Sequence, residues 1–255
     1  MHEETLTRIF AHDDRPAAER ARLVALMRLF AGSPPPPDPY GLYPDFADLQ
    51  RRFLAAVDAA DDTSSAPDAV EEAFLTLYCH VHGHEAPYTA AERRRMDDLG
   101  GYWCHAGGLS PILKAGEHIG PATVSADYGA GNGLQGLLLQ KLYPHRRTVQ
   151  IELSSRMIDA GRILQAWLGV AEDRVAWVVG DVMDHPPRGL DFIYLYRPVR
   201  PGGPGRRFYE RFAAELARDR RPVVIFSIAD CLRDFLDPSF RVFYGDGHLT
   251  CFRRD

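Results

Sequence analysis

Val124-Ser125-Ala126-Asp127-Tyr128-Gly129-Ala130-Gly131-Asn132-Gly133 is a short apolar strand that ends in an acid and runs into a turn with glycine at every second position. The next segment, Leu134–Leu142, has the apolar spacing of a helix. A strand, a glycine turn and a helix in this order bring backbone N–H groups and a helix N-terminus close to a ligand. Glycine suits such a turn because a Cβ would hold backbone and ligand apart and would penalise positive φ.

Downstream of this unit the chain keeps an alternating rhythm, which predicts a parallel sheet covered on both faces. After the first strand, Thr123–Tyr128, come a strand at Thr148–Leu153, a helix at Ser154–Leu168, and a third strand at Arg174–Val179. The fourth strand, Leu190–Tyr196, follows after only about ten residues, too few for a full crossover helix. Gly205–Arg218 is helical and Pro222–Ile228 is the fifth strand. Phe240–Tyr244, the tight Gly-Asp-Gly of 245–247 and His248–Phe252 then read as a β-hairpin. The expected architecture is α/β: a doubly wound, mostly parallel, seven-stranded sheet with a C-terminal antiparallel hairpin, preceded by a helical N-terminal region.

The division falls near Gly120, giving a helical cap or substrate region over 1–119 and the sheet domain over 120–255. Helical spacing marks Pro16–Ala31, with proline in its first turn and Gly32 just past its end. Pro34–Pro39 is a rigid spacer. Asp45–Ala59, Asp68–Val81 and Thr89–Leu99 are further helices, the last opened by Thr89 and Glu92 at the spacing of a capping box. Asp61–Pro67 is a polar linker, and Ser110-Pro111 opens a short helix that ends near Gly116.

Composition bounds the partners. With 45% hydrophobic and 25% charged residues, the 255-residue chain is an ordinary globular sequence. A net charge of −5 weighs against nucleic acid as a general partner, though a local basic patch stays open. Four dispersed cysteines (Cys79, Cys104, Cys231, Cys251) predict a reduced, cytoplasmic protein. No apolar run approaches the roughly 20 residues of a membrane span, and Met1–Phe10 lacks the apolar centre of a signal peptide.

The glycine turn fits two patterns. Asp127–Gly133 reads acid-x-Gly-x-Gly-x-Gly, and Gly131–Gly136 reads G-x-G-x-x-G, the dinucleotide fingerprint. Both place an acid after the second strand, and Glu152 supplies it. Asp127 tips the balance, since a carboxylate there repels a pyrophosphate and attracts a cation. Asp181, in Val179-Gly180-Asp181-Val182, ends the third strand with an acid flanked by apolar residues, and the chain closes on a hairpin. Together these features resemble the class I S-adenosylmethionine-dependent methyltransferases, over Thr123–Phe252. The resemblance implies S-adenosyl-L-methionine as cofactor, with its methionine portion over Asp127, Gly129, Ala130, Gly131 and Gly133. It places the ribose at Glu152, and adenine against Leu153, Asp181 and Val182.

Substrate is expected beyond the ends of the first and fourth strands, where strand order reverses. The fourth ends Tyr194-Leu195-Tyr196-Arg197-Pro198, where base-methylating amino relatives of that family carry Asn/Asp-Pro-Pro-aromatic; the departure points away from methylation of adenine or cytosine amino groups. Tyr196 is a candidate to orient a nucleophile. Arg197 and Arg200, in a stretch with Arg206 and Arg207, are candidates to hold an anion. Tyr102 and Trp103 are candidate substrate contacts just upstream of the first strand, and His105 a candidate general base. Cys79-His80-Val81-His82-Gly83-His84, with Cys104 and His105, contains zinc-type ligands at no recognised zinc spacing, so no metal is expected and a polar helix end is the reading.

Methyl transfer from a sulfonium is an in-line displacement that rests on alignment. The leading expectation is therefore a methyltransferase acting on a small-molecule or peptidic acceptor. A protein or RNA methyltransferase, a catalytically silent cofactor-binding scaffold and an NAD-dependent oxidoreductase are the alternatives.

Overall fold

The computed structural model describes residues 2–60, 66–83, 88–101, 108–229 and 231–255. Helices α1 (His2–Ile9), α2 (Ala17–Gly32), α3 (Phe46–Ala59), α4 (Ala66–Val81), α5 (Ala90–Leu99) and α6 (Ser110–Ala115) precede the sheet. Then follow β1 (Val124–Tyr128), α7 (Leu134–Leu142), β2 (Arg147–Glu152), α8 (Ser155–Trp167), β3 (Val175–Val179), β4 (Phe192–Leu195), α9 (Arg206–Asp219), β5 (Val223–Ile228), β6 (Arg241–Gly245) and β7 (Leu249–Arg254). Strand order is β3-β2-β1-β4-β5-β7-β6. The first five strands run parallel, and β7 pairs antiparallel with β5 and β6. This is the Rossmann-like arrangement that the resemblance implies, and the order reverses between β1 and β4.

Alternation along β1 sorts its side chains between the two faces. Ala126 and Tyr128 join Ile193, Leu195 and the α9 residues Phe208, Phe212 and Leu216 in one core. The opposite face takes α7 and α8. Leu134, Leu137, Leu138, Ala160 and Leu164 of those helices share a single apolar cluster with Leu23, Phe30, Phe53, Phe74 and Tyr78 of the N-terminal helices. The helical region is thereby docked on the α7–α8 layer. The short β3–β4 connection has one turn of 3-10 helix at Val182–Asp184, as its length requires.

Local signals set the boundaries. Thr89 Oγ1 accepts from Glu92 N, and a Glu92 carboxylate oxygen accepts from Thr89 N at 2.6 Å, so the capping box is made. Ser154 caps α8. Helix α1 has no counterpart in the sequence reading. It is a short, charged segment whose Leu6, with Phe10 just beyond its end, is buried against the helical core, so tertiary docking supplies what local propensity does not. No described helix is long and apolar enough to cross a membrane.

Gly161 shows how tightly α8 is seated. A Cβ there would overlap the Trp177 ring and come within 2.7 Å of the Asn132 carbonyl oxygen in the glycine turn. Gly161→Ala is expected to cost about 1–3 kcal/mol by overpacking. Thermal unfolding with an unchanged Tm would show that α8 shifts without penalty.

Candidate functional site

One cleft, about 960 Å³ with its open mouth included, lies beyond the carboxyl ends of β1, β2, β3 and β4. Asp127, Gly129, Ala130, Gly131, Glu152, Leu153, Asp181, Val182, Tyr196 and Arg197 all line it. Gly133 and Arg200 are not among the lining residues. Gly133 (φ +70) instead backs onto Trp177 and Gln150, and Gly136 onto Gln150, so the third glycine of the dinucleotide-type pattern serves helix–strand packing.

The turn spends its donors internally. Gly129 N and Ala130 N both donate to Ile151 O at 2.9 Å, and Gly133 N donates to Ala130 O at 2.8 Å. Gly131 N donates to Glu152 Oε2 at 2.8 Å. A pyrophosphate cradle needs those N–H groups aimed at the ligand; here a carboxylate and two carbonyls already hold them. Positive φ at Gly129 (+78) and Gly131 (+58) makes the reversal possible, and a Cβ on Gly129 would meet Pro198 at 2.9 Å. Asn132 staples the turn to the helical region: its Nδ2 donates to Val81 O (2.7 Å) and to the Tyr43 hydroxyl (2.9 Å).

Three carboxylates surround the turn. Glu152, 4% exposed, accepts from Gly131 N and, through Oε1, from Ser154 N at 2.9 Å. Burial nevertheless pushes its pKa up to about 7, against the lowering effect of those backbone donors. Asp127 is 3% exposed, and burial, with the charge of Glu152, pushes it up to about 8. Asp181 Oδ1 accepts from Met183 N at 2.9 Å, which caps the 3-10 turn, and Oδ2 pairs with the Arg95 guanidinium at 2.7 Å. In their ionised forms Asp127 and Glu152 repel phosphate and attract a cation, and a bound cation in turn favours those ionised forms.

Beyond β4 the backbone reverses at Arg197, a non-glycine residue at φ 45. Such strained positions concentrate where a ligand site over-determines the chain. Facing this loop is α5, whose Met96 and Leu99 line the cleft. Arg200 N donates to Gly100 O at 2.8 Å, and Gly101 bridges Val199. This joins α5, with Arg93, Arg94 and Arg95, to the segment after β4 that carries Arg197 and Arg200 and leads into Arg206 and Arg207 in the first turn of α9. The sequence reading missed Met96 and Leu99 of α5 and His82 just past α4 as cleft walls, together with Asn132, Gln135 and Tyr194. A polar Gln135 inside Leu134-Gln-Gly-Leu-Leu-Leu139 was the available signal.

Tyr102, Trp103, Cys104, His105 and His84 lie outside the described residues. Cys79 and His80 belong to the last turn of α4, and His82 follows it. Among the described residues no group of three or more His, Cys, Asp or Glu side chains is placed to hold a metal ion.

No family model matches the chain, and neither does any curated protein sequence. Solved structures do. TrmN from Thermus thermophilus is similar at 16% identity over 58% of this chain and 48% of that one, with a TM-score of 0.43. The tRNA (uracil-54, C5)-methyltransferase of Pyrococcus abyssi, in complex with S-adenosyl-L-homocysteine, is similar at 18% identity over 57% of this chain and 37% of its own, TM-score 0.41. An RNA methyltransferase from Salinibacter ruber, also in complex with S-adenosyl-L-homocysteine, is similar at 18% identity over 57% and 88%, TM-score 0.43. The chain thus spans about half or less of the first two, and likeness at this identity concerns the fold.

One expectation is corrected here. A small-molecule or peptidic acceptor, with nucleic acid disfavoured, does not stand against matched structures named as tRNA and RNA methyltransferases. The error lay in using the net charge of the whole chain. A local patch sets the field that a ligand meets, whatever the total.

Proposed function

We propose that the chain is an S-adenosylmethionine-dependent methyltransferase whose acceptor is RNA. The observation that carries this reading is the glycine turn with its donors consumed, ringed by the buried carboxylates of Asp127, Glu152 and Asp181. That combination suits an adenosyl sulfonium whose amino-acid end carries an α-ammonium, and it opposes the pyrophosphate of NAD. When bound, the cofactor supplies an electrophilic methyl group on a sulfonium. In this reading Glu152 fixes the turn and offers its remaining lone pairs to the ribose hydroxyls. Asp181, held by Met183 N and Arg95, faces the adenine edge beside Leu153 and Val182. Asp127 attracts the ammonium end.

Tyr196, just past β4 in the cleft wall, is the acceptor-facing side chain in this reading, and Arg197 closes the loop beside it. In this reading the arginines of α5, of the segment after β4 and of the first turn of α9 meet a phosphate backbone that crosses the mouth, for which guanidinium forks are suited. The 1–119 region serves as the cap over the cleft.

Methyl transfer from labelled S-adenosylmethionine to fractionated RNA, protein and small molecules tests the reading directly. Label is expected in the RNA fraction. Stabilisation against melting by NAD but not by S-adenosylhomocysteine would sink it, as would binding without turnover on any fraction. Arg207→Glu, away from the cleft floor, is expected to weaken RNA binding several-fold, to lower the magnitude of the salt slope by about 1, and to leave S-adenosylhomocysteine affinity unchanged. An unaltered salt slope would remove Arg207 from the RNA path.

A further inference from the structure

One corner of the cleft is explained by neither the turn nor the three carboxylates. Gln135, in the first turn of α7, is 4% exposed and lines the cleft. Its Oε1 accepts from the Tyr78 hydroxyl of α4 at 2.9 Å, an interaction that fixes the amide, while its Nε2 meets no hydrogen-bond partner among the described residues. The Tyr194 hydroxyl is the second such group: Tyr194 is 3% exposed, lines the same cleft, and its oxygen also has no partner among the described residues. Tyr194 is the Cα partner of Asp127 across the β1–β4 pairing, so both side chains leave the sheet on the same face. Burial and the neighbouring Asp127 charge hold the phenol protonated, far above its ordinary range, so it remains a donor.

Buried donors are costly to leave unmade, and natural interiors rarely do so without a ligand, a water or a function. Here two lie with a buried carboxylate in one cleft. Two donors plus an anionic acceptor are the complement of a zwitterion: an α-carboxylate for the first pair, an α-ammonium for the second.

We propose that Gln135 Nε2 and the Tyr194 hydroxyl bind the α-carboxylate of the cofactor's amino-acid end, with Tyr78 of α4 as the residue that positions the Gln135 amide. The inference rests on the reading of the cleft as an S-adenosylmethionine site. It makes the N-terminal helical region part of cofactor recognition, because α4 orients the group that selects an amino acid over a simple alkyl sulfide. The cleft accordingly prefers adenosyl ligands that carry the carboxylate and rejects decarboxylated ones.

Calorimetry with S-adenosylhomocysteine and with 5′-methylthioadenosine, which lacks the amino-acid end, separates the possibilities. Gln135→Leu and Tyr194→Phe are each expected to weaken S-adenosylhomocysteine about tenfold, the loss of one hydrogen bond to a charged group. Affinity for methylthioadenosine is expected to stay within about twofold, since its binding calls on neither donor. Tyr78→Phe keeps the ring packing and releases the amide, so it should give a smaller loss with the same selectivity. Equal losses for both ligands would mean a disturbed cleft and would overturn the proposal, as would unchanged S-adenosylhomocysteine affinity in both Gln135→Leu and Tyr194→Phe. Failure of the wild-type protein to bind either ligand would overturn the cofactor reading itself.

Discussion

Glu152→Ala is expected to lower S-adenosylhomocysteine affinity by about a hundredfold or more while the sheet survives. Two losses combine. The ligand loses a carboxylate acceptor in a buried setting, where hydrogen bonds to charged groups contribute about 1.5–3 kcal/mol each. The turn loses the oxygens that hold Gly131 N at 2.8 Å and Ser154 N at 2.9 Å, so the backbone beneath the ligand is no longer fixed. Glu152→Gln separates the two, because its single amide oxygen still accepts from one of these N–H groups. It should therefore retain more of the fold's stability than Glu152→Ala while still losing affinity. Calorimetry paired with far-ultraviolet circular dichroism reads both effects. Unchanged affinity in Glu152→Ala would show that the ribose sits elsewhere.

The second large effect is on stability against pH. Asp127 at about 8 and Glu152 at about 7 both titrate well above the ordinary carboxylate range because burial penalises their charged forms. Between roughly pH 4 and pH 8 the native state therefore holds protons that the unfolded chain has released. Under that condition stability falls as pH rises, with a limiting slope of about 1.4 kcal/mol per pH unit for each group. The ligand-free protein is expected to melt at a higher temperature at pH 5 than at pH 8.5. Asp127→Asn removes one of the two charges and should flatten that descent, giving a higher Tm than wild type at pH 8.5. Its affinity for S-adenosylhomocysteine should drop at the same time, because an amide cannot neutralise an ammonium. Saturating S-adenosylhomocysteine should also flatten the wild-type curve, since a bound cation favours the ionised carboxylate. A wild-type Tm that does not change across this range would mean that both carboxylates are solvated in solution.

Both effects follow from carboxylates that local sequence exposes plainly. Asp127, Glu152 and Asp181 each sit at or just past the end of a strand-forming segment, and a strand that ends in an acid puts that acid at the carboxyl edge of a parallel sheet. The glycine turn was equally legible, as were the capping box at Thr89 and Glu92 and the hairpin at Gly245–Gly247. Helix α1 was not, because eight charged-rich residues hold together only through Leu6 and its neighbour Phe10 in a core built elsewhere. The acceptor was not legible, because net charge is a sum and a ligand meets a surface.

The alternation of strands and helices, the acid before the glycines and the spacing of the acids after them determine the fold and the chemistry of the cleft floor, because each is a local pattern with a period or an offset of its own. What most of the turn's N–H groups do was decided only in three dimensions: Ile151 O and the Glu152 carboxylate reach them from the end of β2, and this turns a phosphate-type motif into a closed, acidic one. The same holds for the pairing of Asp127 with Tyr194, for Arg95 on Asp181, and for Tyr78 reaching Gln135 across 57 positions of sequence. Hydrogen bonds and ion pairs act over a few ångströms, and only packing decides which distant side chains come that close.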